Sequence, residues 1–200
     1  MRKLEYSASA TKYLFWFKEF EIMYELLQDD LKFQEIKTLA VQNNILSAST
    51  PYRINVIFNV VKRRLQALPD GLNLLFNSCD MDTKRLINLV TIMNTELLFY
   101  EFMNDVYKEK LIIGDSIISD GDFRAFYASK READPRVASW TDGSFERLTR
   151  AYKGYLTEAG LMLPGLGERS ILRPILESSF EWALEGANLI NIKNILTGAR

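Results

Sequence analysis

Apolar residues in this 200-residue chain recur at three- and four-residue spacing in one segment after another, and no stretch alternates apolar and polar residues as a half-buried strand does. That pattern restricts the chain to helices packed along apolar stripes. The clearest case opens at Thr50, a good N-cap, with Pro51 at the first helical position, where a missing N–H costs nothing. Ile54, Ile57, Phe58, Val61, Leu65 and Leu68 form its inner stripe, and Pro69-Asp70-Gly71 ends it. The opposite stripe, Asn55, Asn59, Lys62, Arg63 and Gln66, has amides and cations and no carboxylate. A second helix repeats the plan. Thr141 caps it, Phe145, Leu148, Tyr152, Leu156 and Ala159 face inward, and Gly160 closes it. Its outer stripe is Ser144, Arg147, Ala151 and Gly154, with Arg150 and Lys153 beside it.

A shorter helical segment precedes each. Leu31 to Ala40 ends near Asn43-Asn44, and Pro135 opens a brief segment with Val137, Ala138 and Trp140. A short helix, a turn and a longer helix with a basic outer face is the outline of a helix-turn-helix. In that reading Tyr52, Arg53 and Asn55 approach bases or phosphates, Asn59 follows on the same face, and Lys62, Arg63 and Arg64 lie along the backbone. Arg136, Ser144, Arg147, Arg150 and Lys153 make the corresponding set in the second lobe. Each has a structural alternative. A helix ending in Lys-Arg-Arg complements its own macrodipole. The small residues of the second helix admit a neighbouring helix as readily as a duplex, and Asp142 and Glu146 oppose close phosphate contact at its start.

The rest of the chain also reads as helix. Ser9 or Thr11 caps a first helix carrying Leu14, Phe17, Ile22 and Leu26. Short helices follow at 72–76 and 82–93, then a longer one from Thr95 to Leu111, stopped by Gly114. Ser119-Asp120 caps a helix holding Phe123, Phe126 and Tyr127, and weaker segments at 179–184 and 189–196 finish the chain. Ile171 to Leu176, interrupted by Pro174, reads as an edge strand or wing. Trp16, Trp140 and Trp182 are spaced as core anchors. The expected architecture is all-α: a compact multi-helix protein with two helix-turn-helix-like lobes. Residues 1–115 form an N-terminal domain with one lobe at 31–68 and acidic helices at 70–113. Residues 116–200 form a winged-helix-like domain.

Composition removes most chemistry. There is no histidine, so Ser-His-Asp and Cys-His catalysis and histidine metal sites are absent. The single cysteine, Cys79, makes neither an internal disulfide nor a zinc cluster and suits a reducing compartment. Asp80-Met81-Asp82 and Asp120-Gly121-Asp122 lack EF-hand spacing and read as helix caps. Residues 164–170 are glycine-rich but lack a phosphate loop's Gly-Lys-Ser/Thr ending. No catalytic residue, metal or cofactor is expected. Neither a signal core nor a membrane span is legible, and a cytoplasmic location is expected.

Net charge is −1, but it is unevenly spread: +3 over residues 1–68, −6 over 69–123, +3 over 124–173 and −1 over 174–200. Between Ile36 and Pro69 stand five basic residues and no carboxylate. Two positive lobes around an acidic centre point to a polyanion partner.

Three segments together resemble a known family. YSASATKYLFWFKEF at 6–20, ASWTD at 138–142 continuing through Leu148 and Tyr152 to EAGL at 158–161, and ILRPIL at 171–176 are similar to the BrxA family of the BREX phage-defence system. The resemblance covers roughly residues 6 to 196, and it rests on the order and spacing of the three segments. It implies a small all-helical bacterial protein encoded with a multi-gene phage-defence system. A fold compared with the antitermination factor NusB, helix-turn-helix-like modules and non-catalytic binding to double-stranded DNA are also implied. RNA binding of the NusB type and a protein–protein adaptor role inside the defence complex are the alternatives.

Overall fold

The computed structural model describes residues 5–199, apart from the side chain of Ser9. A 3-10 turn (Ala8–Lys12) leads into α1 (Phe17–Gln28), α2 (Phe33–Asn43), α3 (Pro51–Gln66), α4 (Asp70–Phe76) and α5 (Met81–Met93). Next come α6 (Leu97–Phe102), a π turn (Met103–Lys108) and α7 (Glu109–Ile113), which run on as one helical stretch. The second half holds β1 (Ile117–Ile118), α8 (Asp120–Ala133), α9 (Pro135–Ala138), α10 (Asp142–Glu158), β2 (Arg169–Ser170), α11 (Ser178–Gly186) and α12 (Ile190–Thr197). The fold is all-α, with one two-residue antiparallel pairing among the described residues.

α5 lies at the centre because it has no polar face over its second half: every residue from Leu86 to Met93 is buried. Its polar members bond inward. Asn88 Nδ2 donates to the Phe15 carbonyl at 3.0 Å, and Thr91 Oγ1 donates to the Asn88 carbonyl at 2.7 Å. α1 packs on α2, α3 and α5, and its Phe20 and Tyr24 rings meet Phe76 of α4 at 5.5 and 4.5 Å between centroids. Elements from either side of residue 115 pack together: the 3-10 turn on α10, α4 on α11, and the π turn on α12. Their apolar side chains belong to one core.

An aromatic block ties α6, α8 and α10 together. Phe99 touches Tyr152 and Tyr155 at 4.9 and 5.2 Å, and Phe102 stacks on Phe123 at 4.7 Å. Rings of this size carry large buried area and hold a fixed mutual geometry, so α8 and α10 stand as rigid walls.

The fold corrects four expectations. The first helix begins at Phe17, not after Ser9 or Thr11. A helix running through would consume the carbonyls of Leu14 and Phe15, which are instead taken by Arg64 and Asn88. The edge strand expected at 171–176 is confined to its first two residues. The strand pairing is Ile117–Ile118 with Arg169–Ser170; Ile171 bridges to Met162 and donates to the Ser116 carbonyl at 2.7 Å, Leu172 donates to the Leu161 carbonyl at 2.8 Å, and no strand continues over 173–177. Pro174 lacks a donor for a ladder, and Ile175 is 99% exposed. Trp182 is not a core anchor, since Phe180 and Leu184 turn inward at helical spacing and leave it outside, 71% exposed. Ala151, placed on the outer stripe of the second helix, is buried on α10, the helix that receives the 3-10 turn.

Candidate nucleic-acid interface

The two threonine caps are present as the sequence demands. Thr50 Oγ1 accepts the Arg53 N–H at 3.2 Å, and Thr141 Oγ1 accepts the Ser144 N–H at 3.3 Å. Each satisfies one orphan donor at a helix start. Asp80 and Ser119 cap α5 and α8 in the same way, with Asp122 completing a capping box.

In α3 the cations are largely engaged by the protein itself. Arg64 is fully buried; its Nη1 and Nη2 donate to the carbonyls of Phe15 at 2.6 Å and Leu14 at 3.0 Å. Arg64 therefore leaves the set expected to meet phosphate. Its flank of Ile57, Phe58, Val61 and Leu65 carries it into the core. Burial pushes its guanidinium downward, opposed by Tyr155 and Glu96 nearby; an arginine remains charged under such a push. Arg63 forms an ion pair with Glu96 and lies 5.6 Å from the Tyr13 ring. Burial pushes the Glu96 carboxyl upward against the pull of Arg63 and Arg64. Arg53 donates to the Lys12 carbonyl at 3.1 Å and lies 4.9 Å from the Trp16 ring. Lys62 is half-buried, 5.1 Å from the Phe33 ring. Asn55 donates to the Pro51 carbonyl at 3.0 Å, one turn back. Tyr52 and Asn59 are exposed.

The second lobe divides differently. Lys153 is buried, donating to Asp120 Oδ1 at 2.7 Å and to the Gly167 carbonyl at 3.1 Å; like Arg64 it is not an outer-face cation. Arg136 of α9 pairs with Glu5 at 2.7 Å. Arg147 and Arg150 remain exposed. Their polar contacts are long ones on their own helix: Arg147 to Ser144 Oγ at 3.4 Å, and Arg150 to the Glu146 carbonyl at 3.4 Å. Among the described residues neither has a carboxylate within ion-pair distance.

The acidic centre thus works inward. Glu96 takes Arg63, Asp120 takes Lys153, and Glu101 with Asp105 takes Lys130 at 2.8 and 2.9 Å. A good part of the charge asymmetry along the sequence is spent in intramolecular pairs.

The two lobes meet through the segment expected to open the first helix. The 3-10 turn packs on α10, Tyr155 donates to the Tyr13 carbonyl at 3.3 Å, and Arg53 of α3 holds the Lys12 carbonyl. Lys12, exposed, sits between the lobes. Missed in the sequence were Arg124 and Arg131 on α8. Their signal was present, because Arg124, Ala128 and Arg131 share one helical face. Cys79 is half-buried, and burial pushes its thiol upward, as fits a structural thiol. Among the described residues no His/Cys/Asp/Glu group is arranged to hold a metal ion, and no helix is long and apolar enough to cross a membrane.

Fold and surface define a class: an all-helical protein with one aromatic-braced core and two exposed arginines on a capped helix, without an ion pair among the described residues. The BrxA family model matches residues 4–188, and the chain belongs to the BrxA family. The BREX protein BrxA of Bacillus cereus (strain H3081.97) is 38% identical over 151 residues, covering 76% of each chain. A crystal structure of an uncharacterized protein from Magnetospirillum magneticum shares the fold, with TM-score 0.79 over 96% of this chain and 98% of that chain at 14% identity.

Proposed function

We propose that this chain is a non-enzymatic component of a BREX-type phage-defence system that binds double-stranded DNA, mainly through the phosphate backbone. Family membership and the BREX relative support the setting. The DNA reading is carried by one observation: Arg147 and Arg150 stand exposed, without acidic partners among the described residues, on a helix fixed by the aromatic block. Free guanidinium groups on a rigid element suit phosphate, and neutralising phosphates releases counterions. The test is a salt-titrated duplex-binding measurement. With ~4–6 phosphates neutralised, the log–log slope is expected near −4 to −5. A slope near zero rejects the reading.

A second reading, as an adaptor for other defence proteins, draws on Leu74 of α4 and Trp182 of α11, exposed on two helices that pack together. Protection of this surface on mixing with partner proteins, with no loss of duplex binding, supports it.

A further inference from the structure

A cavity of about 670 Å³ opens between α8 and α10, roofed by the β2 residue Arg169. Its size falls in the ~300–1,000 Å³ range of small-ligand sites, larger than a bare anion requires. One part of the wall is apolar, built from Phe123, Tyr127, Ala128 and Phe145. Arg131 extends that surface, its guanidinium 5.0 Å from the Phe145 ring centroid. The Tyr127 phenol, pushed upward by burial, stays a neutral hydrogen-bonding group in contact with Thr149 at 3.5 Å.

The other part is cationic. Lys153 pairs with Asp120 at 2.7 Å, and Arg124 and Arg169 line the same cavity; Lys153 first, then the charges of Arg124 and Arg169, hold the Asp120 carboxyl down. Arg124 is exposed and has no ion pair among the described residues. Arg169 keeps its Nε buried without a hydrogen-bond partner among the described residues. Across the lining, five cationic side chains face three acidic ones. Asp142 is already matched to Arg131, and Asp120 to Lys153. The surplus positive charge is therefore left to Arg124, Arg150 and Arg169, against Glu146.

We propose that this cavity is a nucleotide pocket. The base lies against the aromatic and Arg131 wall, and its phosphate meets Arg124 and Arg169 beside Lys153. Aromatic and guanidinium surfaces accept any base face, and arginine groups recognise the phosphate. The nucleotide has two sources: a free nucleoside phosphate, or an unpaired nucleotide of a nucleic-acid strand bound at Arg147, outside the lining, and Arg150, which belongs to it. The pocket does not need the duplex reading for the first source and rests on it for the second.

The test titrates the full chain with the four nucleoside 5′-monophosphates, inorganic phosphate and adenosine, by calorimetry. At least one monophosphate is expected to bind about tenfold more tightly than phosphate or adenosine alone, a ratio worth ~1.4 kcal/mol. Ala128→Trp fills the cavity from an exposed position, and Arg124→Ala removes a phosphate partner; each is expected to weaken nucleotide binding about tenfold or more. Matched-duplex affinity is expected to be unchanged in both variants, which separates this pocket from the duplex reading. A duplex with one mismatch distinguishes the sources. If it binds more tightly than the matched duplex, and Ala128→Trp removes only that increment, the pocket takes a strand nucleotide. If the mismatch changes nothing while the monophosphate binds, the ligand is free. Failure of every monophosphate and of the mismatched duplex to bind differently from controls overturns the proposal, as does nucleotide binding untouched by Ala128→Trp.

Discussion

The Arg64 guanidinium reaches from α3 to the main-chain oxygen of Phe15, 2.6 Å away, in a site closed to solvent. The neighbouring residue Trp16 holds a left-handed conformation (φ 49°), which costs a non-glycine residue about 1 kcal/mol or more. Arg64 and Asn88 both bind the carbonyl just before it and pin the chain at its entry to α1. Arg64→Met is expected to lose ~2–4 kcal/mol of stability, because it leaves buried carbonyls with fewer donors. Arg64→Lys is expected to recover only part of that, since a point charge does not reproduce the fork that spans Leu14 and Phe15. Urea unfolding of both variants checks this; a loss below about 0.5 kcal/mol contradicts it.

Arg147→Ala with Arg150→Ala is expected to flatten the salt dependence of duplex binding by about 2 and leave stability unchanged. Lys62→Ala with Arg63→Ala is expected to do the reverse. Removing Arg63 strands the buried Glu96 carboxylate, so this pair reads out chiefly as lost stability, with a slope change below about 1. Equal slopes for both double variants refute the assignment of the interface to α10.

Glu96 and Asp120 predict opposite responses to pH. The folded Glu96 carboxyl is raised by burial, so its contribution is fullest below the ordinary glutamate value and is lost as pH rises through the folded value. Asp120 is held low by Lys153; its contribution is present above the ordinary aspartate value and is lost as pH falls through the folded value. Glu96→Gln is expected to remove the loss above that glutamate range, and Asp120→Asn to flatten the acid limb. Thermal unfolding from pH 2 to 8 measures both; an unaltered profile in either variant excludes that group as the cause.

Thr50→Ala and Thr141→Ala are each expected to cost about 1 kcal/mol, since each deletes a single side-chain cap. In a chain of this size that lowers Tm by about 2–4 °C. Replacement by Gly is expected to cost only a few tenths of a kcal/mol relative to the threonine. A scanning-calorimetry series of the four variants checks the order.

Trp182→Ser is expected to change stability by less than about 0.5 kcal/mol, because the side chain is 71% exposed and lies outside the buried core. Trp16→Ala, which removes a buried ring between Arg53 and Arg64, is expected to cost ~3–5 kcal/mol. Comparable losses in the two variants contradict the burial difference.

What a local pattern encodes was legible. Thr50-Pro51, Thr141, Ser119 with Asp122, and Gly114 mark helix ends through contacts within four residues, so reading the chain in order finds them. The inner stripe of α3 was likewise found by spacing. Local periodicity does not say which cation on a helix is spent inside. Arg63 and Arg64 are adjacent in sequence, yet the first keeps solvent exposure and the second has none. One residue turns a helix by about 100°, and the partners of Arg64 lie some fifty positions away.

By itself the sequence determined the all-helical class, the capped helix starts, the absence of histidine chemistry and the stripes that form the core, because each follows from composition or from neighbours within a turn or two. Tertiary structure decided which charges remain for a partner. It sent Arg64 and Lys153 inward, matched Glu96 and Asp120 to the lobes, laid the 3-10 turn between α3 and α10, and brought Arg169 to the α8–α10 cavity through a two-residue strand pairing. A charge is free only if no opposite charge lies near it in space, and distance in space is set by packing between elements far apart in the chain.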